Sequence, residues 1–577
     1  MKLFYKFVLL ILPFSLVVLL ACESVDNGGD KDYVEVQVTV EQSEEDDTAL
    51  QSYTASSVES AAIFAVPASV TLDTLDQIKK AYDGQLQDLV DGTVTLTVPL
   101  NESLKLVKFA YSTAYTLDQI IKDDQSAYAF GISEAFTVTG ADEEKTINIA
   151  MMTGAAWGGT VQFGTANSFE APIDMELDSQ GNIFIVGPAK GDLDGNSNPA
   201  PGTDEVFITK FDSGGSKLWT KMFGSIGNDN PEDLIIDGSD NLLIPGSAAA
   251  SIDGEAHVGG YDVFLAKFDN SGNKVFTKLY GNAGTDGAES VMIASNGVIY
   301  MVGSINGSWS GYTGSGYDDL FIMNVNSDGS FIAVVEQTSS TNAGNPEVTE
   351  DKPEHAIMDS NNNIYVTGST FGHFGESNLG GRDAFIHKYD SGGTALWQKH
   401  IGTTAGETGA RLTIDSEGNV YVVGATSGTI SGQTSAGGND YFLGKFNPAD
   451  GTQIWITQFG SSADESDVWD LIAHTDGFIY FLGSTSGDFG GAQNTDPANV
   501  TDDIILVKFN KSTGAVEAVK EFGSIETDWA TAMVFDSSGN LILTGISEGS
   551  MDGISTADPS GDIFLLKLDS NFELVTN

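Results

Sequence analysis

The sequence predicts an all-β protein: a seven-bladed β-propeller with four antiparallel strands per blade over residues 157–577, preceded by a small β-sandwich domain over residues 33–150. Three observations predict it. A unit recurs seven times, and the residue opening its second strand stands at Asn182, Asn241, Gly297, Asn363, Asn419, Gly477 and Asn540, at intervals of 59, 56, 66, 56, 58 and 63 residues. Each unit holds a run such as Val206–Asp212, Asp262–Asp269 or Ile563–Asp569 that is apolar on both faces, so sheets must cover it on both sides. Tight-turn signals and one long polar loop divide each unit into four short strands. Such units packed face to face form a radial propeller, whereas a linear β-solenoid has shorter rungs.

From the N-terminus, Lys2 and Lys6 precede the apolar run Phe7–Leu20, the pattern of a secretory signal rather than a membrane span. The run ends at Leu19-Leu20-Ala21-Cys22, which resembles the lipobox of bacterial lipoproteins, although Leu20 is a less usual residue at its place. That resemblance implies a signal peptide over 1–22, acylation of Cys22, and an exported, membrane-anchored protein at the outer membrane and cell surface. Cys22 is the only cysteine, so no intramolecular disulfide can form. Glu23–Asp32 carries two adjacent glycines and almost no apolar content, as expected of a flexible tether. In 33–150, alternating runs at Tyr33–Val40, Ala61–Val66, Thr93–Val98, Leu104–Tyr111, Ala127–Thr137 and Thr146–Ala150 read as strands, with a short helix at Leu72–Val90. This domain is expected to act as a stalk.

The fourth strand of the repeat carries Trp and then Phe-Gly, as in Trp219 with Phe223-Gly224 and Trp455 with Phe459-Gly460. Trp157-Gly-Gly-Thr-Val-Gln-Phe163-Gly164 looks like that strand standing alone before the first unit, and is expected to pair into the last blade. Phe572–Val575 is the alternative closing strand. With these runs, and with Asp536-Ser-Ser-Gly-Asn540 ahead of an apolar strand and Gly545, residues 157–577 resemble the β-propeller repeats known as SBBP. The resemblance implies the fold strongly and a function weakly.

There are 81 acidic and 26 basic residues, a formal charge of −55, which disfavours nucleic acid as a partner. The recurrent Asp-Ser-x-Gly-Asn segments have the spacing of tight hairpins, so they read as turn chemistry. At Asp192, Asp194 and Asn196, alternate oxygen side chains suit calcium, although Ser197 stands where an EF-hand loop needs Gly and Thr203 where it needs Glu; a solvated loop is the other reading. Acids also recur at the ends of the long loops (Asp204, Asp262, Asp319, Asp383, Asp440, Asp503, Asp562) and in the loops entering each unit (among them Glu232, Asp233, Asp286, Glu289, Glu465 and Asp528). Both sets fall on one face. Seven-fold recurrence favours a structural job over a catalytic pair, with a shared cation as the second option.

Gly-x-Ser-x-Gly occurs once, at Gly545–Gly549 at the end of an apolar strand of the repeat and so not as a strand-to-helix elbow; no phosphate-binding Gly-Lys-Ser/Thr loop and no histidine pair with metal-ligand spacing is present, so no enzyme is expected. Aromatics in the long loops, Trp309, Tyr312, Tyr317, Phe371, His373 (with its imidazole), Phe374 and Phe489, are candidate ligand-binding residues; the other reading is that each folds back onto its own blade. The expected function is a recognition or adhesion module holding a protein or glycan on the loop face. Two alternatives stand: an envelope assembly scaffold, because Asp212–Trp219 is similar to the Trp-bearing repeat of quinoprotein-type propellers, and an extracellular polysaccharide hydrolase.

Overall fold

A computed structural model of the chain separates into two compact units, residues 1–158 with 576–577, and residues 159–575. Side chains are described from 161 to 575, apart from 165–168, 310–317, 340–349, 490–500, 550–560 and a few single positions; of residues 1–160 only strand backbone is described. In the first unit Ile149–Met152, Ala129–Ser133, Ser103–Tyr111 and Ser60–Pro67 pair in that order into an antiparallel sheet. Cys22, the tether at 23–32 and the helix expected at 72–90 lie outside the described residues.

The second unit is a ring of seven four-stranded antiparallel sheets, a β-propeller. Blade 1 consists of Asp174–Leu177, Ile183–Ala189, Glu205–Phe211 and Lys217–Phe223, paired in sequence order. Blades 2 to 6 repeat that order over 229–280, 286–337, 351–401, 407–459 and 468–522. First strands of neighbouring blades touch, including those of blades 7 and 1, so they stand around the axis. Position in the blade explains the residue pattern. Every residue of the third strand Glu205–Phe211 is buried, whereas the outermost strand Lys217–Phe223 buries only part of one face. The core lies between sheets: Phe184, Val186 and Ile208 of blade 1 pack with Leu242, Phe264 and Phe268 of blade 2.

The hairpin turns are built by their own carboxylates. Asp178 Oδ1 accepts from the N–H groups of Gln180 and Asn182, and Asp237, Asp359, Asp415 and Asp536 serve their turns in the same way. The third-strand lysine then pairs with that turn acid, as Lys267 with Asp237 at 2.8 Å and Lys567 with Asp536 at 2.6 Å. Blade 3 has Asn324 in place of the lysine and Ala294 in place of the acid.

Both termini of the propeller close it. Val161–Phe163 pairs antiparallel with Ile563–Leu565, outside Asp528–Phe535, Leu541–Ser547 and Asp562–Leu568 of blade 7. Leu574 bridges Leu568, and the Val575 N–H donates to Lys567 O at 2.9 Å, extending the same edge. The Phe163 ring lies 5.1 Å from Phe211 of blade 1, as Phe223 lies 5.0 Å from Phe268 and Phe459 4.8 Å from Phe509 at other junctions. Phe163 therefore fills the place of a fourth-strand aromatic.

Candidate functional site

Charge collects at two levels of the ring. The first is the axis. A bulge interrupts the first strand at Glu289, Glu354, Ala410, Trp469 and Thr531 in blades 3 to 7, and Glu232 occupies the matching break in blade 2. The first strand is also a sheet edge, so half of its N–H groups have no partner within the sheet. Side chains of the preceding blade supply one. The Leu234 N–H donates to Asp174 Oδ2 at 2.8 Å, Val291 to Asp233 Oδ2 at 2.7 Å, Ala356 to Ser290 Oγ at 2.9 Å, Leu412 to His355 Nδ1 at 3.1 Å and Met533 to Asp470 Oδ2 at 2.9 Å. Between blades 5 and 6 the polarity reverses, and Arg411 Nε donates to Trp469 O at 2.9 Å. One polar side chain per blade thus stitches each inner strand to the next, except at Ala532 in blade 7.

Within this girdle Glu232, Glu289 and Glu354 gather with Lys352 and Arg411, while Glu176 lies among Asp174, Asp233 and Asp470; Lys352 Nζ lies 2.9 Å from Glu354 Oε1. Carboxylates outnumber cations, and the ionised forms suffer accordingly. Burial, then the charge of Asp174, pushes Glu176 up to about 8. Loss of hydration inside the ring pushes Glu232, whose surface still reaches solvent, up to about 7 despite Arg411 and Lys352, and the half-buried Asp233 up to about 6. Asp174 is raised by burial and by Asp233, and Glu289 by burial and then by Glu232 and Glu354. His355 goes the other way, down to about 3, through burial and then the charge of Arg411.

The second level lies at the blade junctions. Each blade begins its first strand with a buried acid, Glu170, Asp229, Asp286, Asp351, Glu407, Glu465 or Asp528, and its third strand with another, Glu205, Asp262, Asp319, Asp383, Asp440, Asp503 or Asp562. In blade 1 the buried acid is Glu205 rather than the expected Asp204, because Glu205 is the residue opposite Ala189, as Asp262 is opposite Ala248. At many of these acids a backbone N–H four residues upstream tethers one oxygen, as Asn282 does for Asp286 and Val258 for Asp262, both at 2.7 Å; Asp351 is held instead by the Ser339 N–H, twelve residues upstream. Except after blade 3, where Thr338 stands, a Gly follows the fourth strand beside the third-strand acid, and at Gly224, Gly460 and Gly523 the first-strand acid of the next blade meets it there. A Cβ at Gly224 would lie 1.8 Å from Glu205 Oε2 and 2.6 Å from Asp229 Oδ2. At Gly224 the glycine leaves room for this meeting, which a side chain would block. Burial, then Asp229, pushes Glu205 up to about 8, and burial pushes Asp229, Asp286 and Asp351 up to about 6.

A raised carboxyl means that the folded state binds protons more tightly than the unfolded chain, so stability declines as pH climbs from the ordinary carboxylate range through the raised values. His355 and His387, both held low by burial, work oppositely and lose stability as pH falls below about 6.5, but they are two groups against many, and the lowered turn acids such as Asp237 act only below the ordinary carboxylate range. In the presence of chelator the melting temperature is expected to be several degrees higher at pH 5 than at pH 8, with Asp233→Asn narrowing the gap. Calorimetry showing a higher value at pH 8 would contradict this assignment of the buried acids.

The loop residues singled out above separate into three groups. Phe374 and Phe489 are each 3% exposed: Phe374 packs at 5.5 Å on Phe385 and 4.4 Å on His387, Phe489 at 6.2 Å on Phe459. They face the core because it offers an apolar ring more than solvent does. Trp309, Phe371 and His373 are partly exposed. Trp309 stacks on the exposed Phe331 at 6.4 Å, Arg382 covers Phe371 at 4.8 Å, and His373 Nδ1 accepts from the Asn378 N–H at 2.9 Å. Tyr312 and Tyr317 lie outside the described residues.

Asp192, Asp194 and Asn196 each have hydrogen-bond partners of their own. Asp194 and Gly195, at φ 50° and 76°, form a tight turn between Leu193 and Asn196. The Asp194 carboxylate meets Lys217 Nζ at 2.6 Å, Asp192 Oδ1 accepts from Asn198 N–H, and the Asn196 amide donates to Thr220 O.

No family model matches the chain. Regulatory protein FlaEY of Caulobacter vibrioides is 24% identical over 445 residues, covering 69% of this chain and 46% of the relative, so the chain spans about half the length of that protein. Among solved structures, the β-propeller domain of the Trilobed protease from Pyrococcus furiosus is 11% identical with a TM-score of 0.37, covering 71% of this chain and 98% of that one. The Pan2 WD40 domain of Neurospora crassa is 9% identical with a TM-score of 0.39, over 73% and 98%. Virginiamycin B lyase from Staphylococcus aureus is 12% identical with a TM-score of 0.37, over 70% and 98%. These likenesses concern architecture and assign no activity.

Proposed function

We propose that this chain is an exported lipoprotein, held in the envelope by acylated Cys22, whose SBBP-type propeller is a non-catalytic module that binds a protein partner through a basic segment at the ring axis. The observation that supports it most is the imbalance there: Asp174, Glu176, Glu232, Asp233, Glu289, Glu354 and Asp470 against Lys352 and Arg411. A lysine or arginine entering the group would relieve like-charge repulsion that the fold itself leaves in place. A protein is favoured over a glycan, because Phe374 and Phe489 are buried, Trp309 is already stacked on Phe331 and Phe371 lies beneath Arg382. The Caulobacter relative, a regulatory protein by name, is compatible with a binding role.

Titration of the full chain in detergent with Lys/Arg-rich peptides tests the reading. Binding is expected to weaken with salt and with acidification from pH 8 to pH 6, and to fall by about tenfold or more in Glu232→Gln/Glu289→Gln. Equal binding by that variant, or preference for neutral glycans, would remove the axial site. Palmitate labelling is expected in the wild type and absent in Cys22→Ser; labelling that persists would remove the anchor.

A further inference from the structure

The junction acids carry an inference independent of the axial site. Three of the seven junctions bring both acids against the glycine: Asp503 and Asp528 at Gly523, and the two that carry the inference. Between blades 1 and 2, Glu205 and Asp229 converge on Gly224; between blades 5 and 6, Asp440 Oδ1 and Glu465 Oε2 lie 2.5 and 2.7 Å from where a Cβ on Gly460 would stand. All four carboxylates are fully buried. Glu205 Oε1 and Oε2, Asp229 Oδ1 and Glu465 Oε2 are enclosed without a well-aligned hydrogen bond, with only the Thr203 hydroxyl near Glu205 and His257 acting on Asp229 from a distance. Lys190 approaches only the neighbouring Asp204, at 3.9 Å, and among the described residues no lysine or arginine pairs with any of the four.

A buried carboxylate oxygen without donor or counter-charge is costly by several kcal/mol, and two facing each other are costlier still. Something must neutralise each pair. The donors are hard oxygens, two carboxylates supply two negative charges, and backbone carbonyls crowd the same turn, as where Asp229 N–H meets Asp204 O and Glu465 N–H meets Asn439 O. That donor set selects a hard divalent ion, and calcium tolerates irregular oxygen shells better than magnesium. The blade 4–5 junction supplies an internal contrast: there His400 Nδ1 sits 3.2 Å from Asp383 Oδ2, so a protein side chain occupies the place beside the carboxylate.

We propose that the Glu205–Asp229 and Asp440–Glu465 junctions each bind one divalent cation of the calcium class, pinning adjacent blades together. Both sites differ from the Asp192–Asn196 loop, whose Asp194 is engaged by Lys217.

The test uses the full chain, stripped with chelator and titrated with CaCl2 at pH 8. Calorimetric titration is expected to show at least two ions per chain, and saturation to raise the melting temperature by about 5 °C or more. The isosteric pair Glu205→Gln/Asp229→Asn is expected to lose one ion, and Asp192→Asn to lose none. Should the double variant not fold, Glu465→Gln reads the second junction by the same count. Pairs that merely share a proton would give the opposite result: no calcium uptake, no thermal shift, and a stabilised amide variant at pH 8. Either that result or an unchanged ion count in the junction variants overturns the proposal.

Discussion

Phe163→Ala is expected to destabilise the propeller by about 3–5 kcal/mol, and to do so through blade 7 before any other. The ring is 9% exposed, rests 5.1 Å from Phe211 of blade 1, and carries Lys217 Nζ 5.4 Å above it. Phe223 makes the same contacts one junction on, with Phe268 at 5.0 Å and Lys274 Nζ at 5.2 Å. The difference lies in the chain. Phe223 ends a seven-residue strand hairpinned to the strand before it, whereas Phe163 belongs to a three-residue strand held to its sheet only by Ile563–Leu565. Loss of the ring removes much of what ties that strand down, and a ring opened at one seam exposes two blade faces at once. Hydrogen exchange should show Leu541–Ser547 and Asp562–Leu568 losing protection first, with Phe163→Leu restoring most of it. Protection in blade 7 equal to that of the wild type would mean that the Leu574–Val575 segment closes the ring unaided.

That seam was visible in the sequence, because Trp157–Gly164 repeats a motif whose place in the unit is known from Trp219–Gly224 and Trp455–Gly460. So was the lysine of the third strand, although its partner was not. The pairing of Lys267 with Asp237 is hinted at by blade 3, where Asn324 and Ala294 depart together, but blurred by blade 6, where Lys508 is kept while His474 stands in the acid's place. Other features were illegible for definite reasons. The axial girdle uses Asp174, Asp233, Ser290, His355, Arg411, Asp470 and Ala532 at one position; six of the seven are polar, yet no two kinds of chemistry suffice to describe them, so no residue motif marks the place. The junction acids were seen as recurrent, but the two members of a pair, such as Glu205 and Asp229, belong to different blades. Their meeting is a consequence of ring geometry. For the loops, an aromatic between polar residues reads alike whether it points out or in, and the cores of blades 4 and 6 claimed Phe374 and Phe489.

Gly424→Ala is expected to be among the most damaging single-methyl changes available to this protein, and it makes the bulge responsible for a glycine that recurs in every blade. Gly187, Gly246, Gly303, Gly368, Gly424, Gly483 and Gly545 all lie within the second strand, where glycine is ordinarily unfavourable. A Cβ at Gly424 would stand 2.0 Å from Thr408 O and 2.7 Å from the Phe442 ring; at Gly246 it would meet Asn230 O at 2.0 Å, and at Gly303 Gly287 O at 2.0 Å. The obstacle is backbone oxygen of the first strand, brought close by the irregular register between Gly409 and Arg411, and backbone cannot rotate aside as a side chain can. The methyl must therefore push the inner strand toward the axis, straining the Leu412 N–H bond to His355 and the Arg411 bond to Trp469 O. Overpacking against side chains costs about 1–3 kcal/mol, and against a fixed carbonyl the loss is expected to exceed about 3 kcal/mol. Gly238→Ala is the matched control, since a Cβ there meets nothing within 4 Å and the change should stay within about 0.5 kcal/mol. Urea denaturation of the two variants decides it: equal midpoints would show that the bulge yields freely and that the recurrent glycine answers to something other than the inner strand's carbonyl.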